Sequence, residues 1–157
     1  MDHPFIFLFM KGVTLLGNVP LYFIYIIIAF LLLKRRDWLS FMGIIVLSGI
    51  INELLKNGFA LPRPSVEHHK ISVAGYGFPS GHAQMAVVVW GWLGYRYKRW
   101  ISALIVIFLI GVSRIYLGVH FLDQVFCGWL IGFFILGIWI WKIESKPLEE
   151  TKNKDGV

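Results

Sequence analysis

The chain has 157 residues, 57% of them hydrophobic and only 15% charged, with a formal charge of +6. A soluble domain carries about 25% charged residues, and a small protein has proportionally more surface to cover. A water-soluble domain and a disordered chain are therefore poor fits; an integral membrane domain, built from helices or a closed barrel, is the expectation.

Pro4 to Met10 is apolar but far too short to cross a bilayer, so it is expected to lie in the interface or against the bundle. Five longer stretches approach the length of about 20 residues that a spanning helix needs. They run from about Gly12 to Leu33, Leu39 to Phe59, Ser80 to Tyr95, Ile101 to Gly118 and Phe121 to Trp141. The third is short and spans only if it starts below the lipid surface or the bilayer thins. The predicted fold is thus all-α: a polytopic bundle of about five transmembrane helices with an N-terminal interfacial segment. Residues 1–142 form the membrane-embedded domain and residues 143–157 a charged cytoplasmic tail. Cys127 lies within an apolar run and is read as a small packing side chain.

Basic residues orient such a bundle. Five spans place Lys34, Arg35, Arg36, Arg96, Lys98, Arg99, Lys142, Lys146, Lys152 and Lys154 on one side, ten of the fifteen Lys and Arg residues. That side is expected to be cytoplasmic. The opposite side, with the 60–79 loop, faces outward, towards the periplasm or exterior of a bacterial cell. A connection of that length in so compact a chain is expected to have a function.

The outward side collects polar residues that do not suit an apolar bundle. Lys56 lies near the end of the second span, and Arg63-Pro64 follows seven positions later. Ser80-Gly81-His82 opens the third span, Ser113-Arg114 lies within the fourth, and His120 lies at the next turn. Ionisable groups at this depth are costly unless paired or exposed to water. Three cations and two histidines converging there call for an anion. Phosphate suits them, because arginine offers a planar fork and lysine a point charge. The helix start at Ser80-Gly81 adds free backbone N–H groups; Ser80 could also cap that helix. Two histidines beside a bound phosphate suggest a nucleophile and a proton donor. Arginines and backbone amides are enough to carry the transition-state charge, so no metal or other cofactor is expected.

These residues form three ordered motifs. Lys56 to Arg63-Pro64 reads Lys-Asn-Gly-Phe-Ala-Leu-Pro-Arg-Pro; residues 79–82 read Pro-Ser-Gly-His; Ser113-Arg114 to His120 reads Ser-Arg-Ile-Tyr-Leu-Gly-Val-His. Over about residues 50–140 the chain resembles the type 2 phosphatidic acid phosphatase family, which is related to vanadium haloperoxidases and glucose-6-phosphatases. The resemblance implies that His120 attacks phosphorus and becomes a phosphohistidine. It implies that His82 protonates the leaving group and then helps water to hydrolyse the intermediate. Lys56, Arg63, Ser80, Gly81 and Arg114 would hold the phosphoryl oxygens. One position departs from the pattern. Four residues after the nucleophilic histidine the family usually has an aspartate; here position 124 is Gln, and Asp123 lies one place earlier. Either Asp123 or Gln124 is expected to orient the His120 ring.

A site at the outer end of a membrane bundle favours a lipid phosphate as substrate: phosphatidic acid, phosphatidylglycerol phosphate or undecaprenyl diphosphate. The expected partners are that substrate and the surrounding membrane lipids, with no nucleic acid. Two other readings are a phosphatase for a soluble sugar phosphate and a non-enzymatic anion-binding protein or transporter. A transporter would be expected to carry polar residues along a whole span, whereas here they gather at one end.

Overall fold

The structure is a computed structural model describing residues 3–144, and among these it has six α-helices, a short 3-10 helix and no strand. α1 runs Pro4–Leu15, α2 Val19–Leu32, α3 Arg35–Phe59, α4 Gly81–Tyr97, α5 Trp100–Tyr116 and α6 Leu122–Glu144. The 3-10 turn Val66–His68 is the one helical piece in the long α3–α4 connection. Of the tail expected at 143–157, residues 143 and 144 belong to α6, and the rest lies outside the described residues.

The first predicted span is not one straight helix. α1 already begins at Pro4 and takes in the stretch expected to be a separate interfacial segment. The helix pair breaks at residues 16–18 and bends by 52°. Pro20, which has no N–H and a fixed φ, opens α2 just past the break. Two helices, α3 and α6, are long and apolar enough to cross a membrane, or three spans if the bent pair counts as one. α4 and α5 have 17 residues each and rise about 25 Å, short of a hydrocarbon core about 30 Å thick. α4 is short because Pro79 and the loop before it delay its start.

α4 is the central helix, packed against α3, α5 and α6. Ala83, Ala86, Val87, Val88 and Val89 on it are all fully buried. α6 crosses α4 closely at Gly128 and Gly132. A Cβ at Gly128 would come within 2.6 Å of the Ser80 carbonyl, and one at Gly132 within 2.7 Å of the Gln84 carbonyl. Large apolar side chains elsewhere face outward: Ile27 and Leu31 on α2, Ile50 and Leu54 on α3, Phe108 on α5, Phe134 on α6. In water such a coat would aggregate; it is the surface lipid requires.

A buried polar chain fixes the register of α3 against α4. The amide of Asn52 donates to Gln84 Oε1 at 2.9 Å, and Gln84 Nε2 donates to the carbonyl and hydroxyl oxygens of Ser48, both at 2.9 Å. All three residues are buried, so each lost partner would leave a polar group unpaired, at about 1–3 kcal/mol. Lys56 lies one turn past Asn52 and His82 half a turn before Gln84, so this contact sets the relative height of both site residues. At the opposite end the indoles of Trp92 and Trp139 both donate to Ser40 Oγ, at 3.3 and 3.0 Å, and Arg96 pairs with Asp37 at 2.7 Å.

Candidate active site

The C-terminal ends of α3 and α5, the start of α4 and the turn into α6 meet at one end of the bundle. There a cavity of about 480 Å³ is lined by Lys56, Arg63, Gly81, His82, Arg114 and His120. Three motifs separated by up to 64 positions thus open on one chamber. Ser80 is the exception among the expected residues. It is fully buried and caps α4, its Oγ accepting from the Ala83 N–H at 3.5 Å, while its own N–H donates to the Gln124 carbonyl at 3.0 Å. Gly81 and the first turn of α4 face the chamber instead.

His120 is held from both sides. Arg63 Nη1 lies 2.9 Å from Nε2. A guanidinium only donates, so Nε2 carries the lone pair and Nδ1 the hydrogen. Nδ1–H donates to Gln124 Oε1 at 3.0 Å. The same oxygen accepts the Phe121 N–H at 3.3 Å, and Gln124 Nε2 donates to the Pro62 carbonyl at 2.8 Å. These bonds fix the orientation of the amide, and the glutamine ties the histidine to the residue just before Arg63. Asp123, the other expected orienter, is exposed; the ring meets Gln124. Burial, followed by the charges of Arg63 and Arg114, pushes the His120 imidazolium down to about 3. The ring is therefore neutral near pH 7.

Each of the cations donates to neutral oxygens of the protein. Arg63 donates to the carbonyls of Gly75, Ala74 and Val119 at 2.9, 3.1 and 3.0 Å. Lys56 Nζ donates to the Tyr76 carbonyl at 2.8 Å. Arg114, only 2% exposed, donates through Nη1 to Thr14 Oγ1 at 2.6 Å, while its buried Nε has no partner. His82 Nε2 meets Asn18 Oδ1 at 2.7 Å. Thr14, Asn18, Asn52 and Gln84 were not singled out from the sequence, although each is a polar residue within or beside an apolar run. Among the described residues no three His, Cys, Asp or Glu side chains gather as a metal site would need.

Gly118 shapes the turn between Arg114 and His120. Its φ is +71°, and a Cβ there would strike the His68 carbonyl. The α3–α4 loop thus rests on the turn that carries the histidine, and the Lys70 N–H donates to the Leu117 carbonyl at 3.0 Å.

A sequence profile described as the PAP2 superfamily matches residues 37–147. The chain belongs to this superfamily. It is 30% identical over 139 residues to phosphatidylglycerophosphatase B of Bacillus subtilis, covering 78% of this chain and 68% of that protein. Among solved structures, it is similar to a transmembrane PAP2-type phosphatidylglycerolphosphate phosphatase from B. subtilis, with a TM-score of 0.81, 25% identity and coverage of 94% and 82%. It is similar also to Aquifex aeolicus LpxE, with a TM-score of 0.80, 29% identity and coverage of 89% and 88%. The superfamily assignment and the helical fold place the chain among membrane phosphatases.

Proposed function

We propose that the chain removes a terminal phosphate from a membrane lipid through a phosphohistidine on His120. The carrying observation is the two-sided cavity. Its polar end gathers the cations and both histidines. Its other wall is apolar, with Phe23 and Ile26 of α2 facing Ile45 and Val46 of α3, and Phe23 and Val46 are also exposed at the bundle surface. A phosphate at one end and an acyl or polyprenyl chain lying between α2 and α3 match this division. A sugar phosphate would leave the apolar wall uncovered.

In the proposed reaction His120 Nε2 attacks phosphorus as the bond to the lipid oxygen breaks. That oxygen keeps the electron pair and takes a proton from His82. Water then attacks the phosphohistidine, gives a proton to His82, and the P–N bond breaks to release inorganic phosphate. Lys56, Arg63, Arg114 and the first amides of α4 hold the charge that develops on the phosphoryl oxygens. Arg63 Nη1 would pass from the ring nitrogen to an oxygen as the nucleophile engages. Gln124 would keep the attacking tautomer in place. The name of one similar protein, a phosphatidylglycerophosphatase, supports a glycerolipid phosphate; phosphatidic acid and undecaprenyl diphosphate share the required chemistry. Lys34, Arg35, Arg36, Arg96, Lys98 and Arg99 lie at the other end of the bundle, which supports a bacterial cytoplasmic membrane with the site facing outward.

The test is phosphate release by purified protein, with chelator present, from short-chain phosphatidic acid, phosphatidylglycerol phosphate and undecaprenyl diphosphate. Glucose 6-phosphate serves as the soluble competitor. Turnover of at least one lipid, abolished in His120→Ala, is expected. Substantial activity in His120→Ala, or preference for the sugar phosphate, would overturn the reading.

A further inference from the structure

We infer that Asn18, at the break between α1 and α2, is the positioning residue of the proton donor: it holds His82 through Nε2–H and leaves Nδ1–H for the leaving oxygen. The inference rests on the reading of His82 as proton donor. Asn18 occupies the N-cap position of α2, where an asparagine ordinarily accepts from the first turn of its own helix. It makes no such bond. Pro20 in that turn lacks an N–H, which weakens the cap, and the amide instead lies 2.7 Å from His82 Nε2.

The break holds the amide there. The buried Tyr22 hydroxyl donates to the Gly17 carbonyl at 2.7 Å. Gly17 lies against the His82 ring, so that a Cβ there would come within 3.0 Å of ring carbon Cδ2. One turn earlier Thr14 holds Arg114. All these residues precede the segment matched to the superfamily, 37–147; the N-terminal helix pair completes a site whose motifs lie elsewhere.

The chemistry explains why an acceptor is needed. A proton donor must carry a hydrogen on both ring nitrogens before the reaction, in a chamber already lined by Lys56, Arg63 and Arg114. The Asn18 carbonyl oxygen accepts from one nitrogen without adding a charge. When Nδ1–H passes to the leaving oxygen as the P–O bond breaks, His82 remains as the neutral Nε2–H tautomer, still held. It is then oriented to take a proton from the incoming water at Nδ1.

The test compares Asn18→Leu, which removes the acceptor, with Asn18→Asp, which keeps an oxygen there. The substrates are a dialkyl-glycerol phosphate, whose alkoxide needs a proton, and p-nitrophenyl phosphate, whose phenolate does not. Measured as kcat/KM, which covers the steps through P–O cleavage and not the later attack of water, Asn18→Leu should lose roughly a hundredfold on the alkyl ester, the lower range for general acid catalysis, and under threefold on the aryl ester; Asn18→Asp should recover most of the loss. His82→Ala is the reference. If His82→Ala lowers kcat/KM for both esters equally, the proton-donor reading fails. If His82→Ala is selective but Asn18→Leu is not, only the Asn18 inference fails. Should Asn18→Leu not fold, nitrogen NMR of ¹⁵N-histidine in the unmodified protein decides: Nε2 of His82 protonated supports the inference, and Nε2 bare overturns it.

Discussion

Replacing Gln124 with glutamate changes one hydrogen-bonding atom and one charge beside His120, the proposed nucleophile. The glutamine makes three bonds: it accepts from His120 Nδ1–H and Phe121 N–H and donates to the Pro62 carbonyl. A carboxylate keeps both acceptances and loses the donation, turning a 2.8 Å hydrogen bond into an oxygen–oxygen repulsion. The cost is about 1–3 kcal/mol for the unpaired carbonyl, felt next to Arg63. The new charge acts on the ring. An anion within hydrogen-bond distance raises a histidine by about 1–3 units, so His120 should move from about 3 towards the ordinary histidine range. Its cation cannot attack phosphorus, so an acid limb absent from the parent should enter the pH profile of kcat/KM between about pH 4 and 6. KM should rise several-fold as Pro62 shifts Arg63. The assay is phosphate release from short-chain phosphatidic acid over pH 4.5–8, with circular dichroism to verify folding. Asp123→Asn is the control and should behave as the parent, because Asp123 is exposed. The absence of an acid limb in Gln124→Glu, or a large loss in Asp123→Asn, would refute the assignment of the ring's partner.

Two further outcomes follow from the same geometry. In unliganded protein His120 should remain the neutral Nδ1–H tautomer from pH 8 down to pH 5, its pKa lying below that window; histidine nitrogen NMR in nanodiscs checks this, and a midpoint near 6.5 would contradict it. Gly118→Ala adds a left-handed penalty of roughly 1–2 kcal/mol to a clash with the His68 backbone carbonyl, so the melting temperature should fall by several degrees and activity with it; an unchanged melting curve would mean that the loop does not rest on this turn.

The membrane class and the site were legible for different reasons. Apolar runs announce a bundle, and Lys56, Arg63, His82, Arg114 and His120 stand out because nothing in lipid would tolerate them singly. Helix length was less legible. Hydropathy continues through residues 16–18, so the break before Pro20 was hidden among Leu16, Gly17 and Asn18, and the first span was read as straight. Ser80 was expected at the phosphate; the structure shows it fully buried with its Oγ capping α4. The choice between Asp123 and Gln124 could not be made from spacing, since three and four residues share a helix face. It depends on α6 beginning at Leu122, which turns position 124 inward and position 123 out. Thr14 and Asn18 were passed over because an isolated neutral residue in an apolar run carries no charge to explain; their significance appears only where α1 and α2 meet α4 and α5.

The cavity also carries an imbalance that predicts what it binds. Lys56, Arg63 and Arg114 line it against a single carboxylate, Glu53, leaving a surplus of two positive charges. Carbonyls of residues 74–76 and Val119 and the Thr14 hydroxyl accept hydrogen bonds from these cations, while the buried Arg114 Nε has no partner. These acceptors carry no net charge, so they leave the charge surplus in place. A doubly charged tetrahedral oxyanion removes the surplus, and a singly charged one removes half of it. Orthovanadate at a hundred times its dissociation constant should stabilise the fold by about 2.7 kcal/mol, a rise of roughly 5–10 °C for a chain this size. Nitrate or chloride at equal ionic strength should give little, because screening of a buried cluster is weak. Thermal melting of purified protein in detergent measures both. Equal stabilisation by nitrate would show that the cations answer to ionic strength alone, and the pocket would lose its claim to a phosphate.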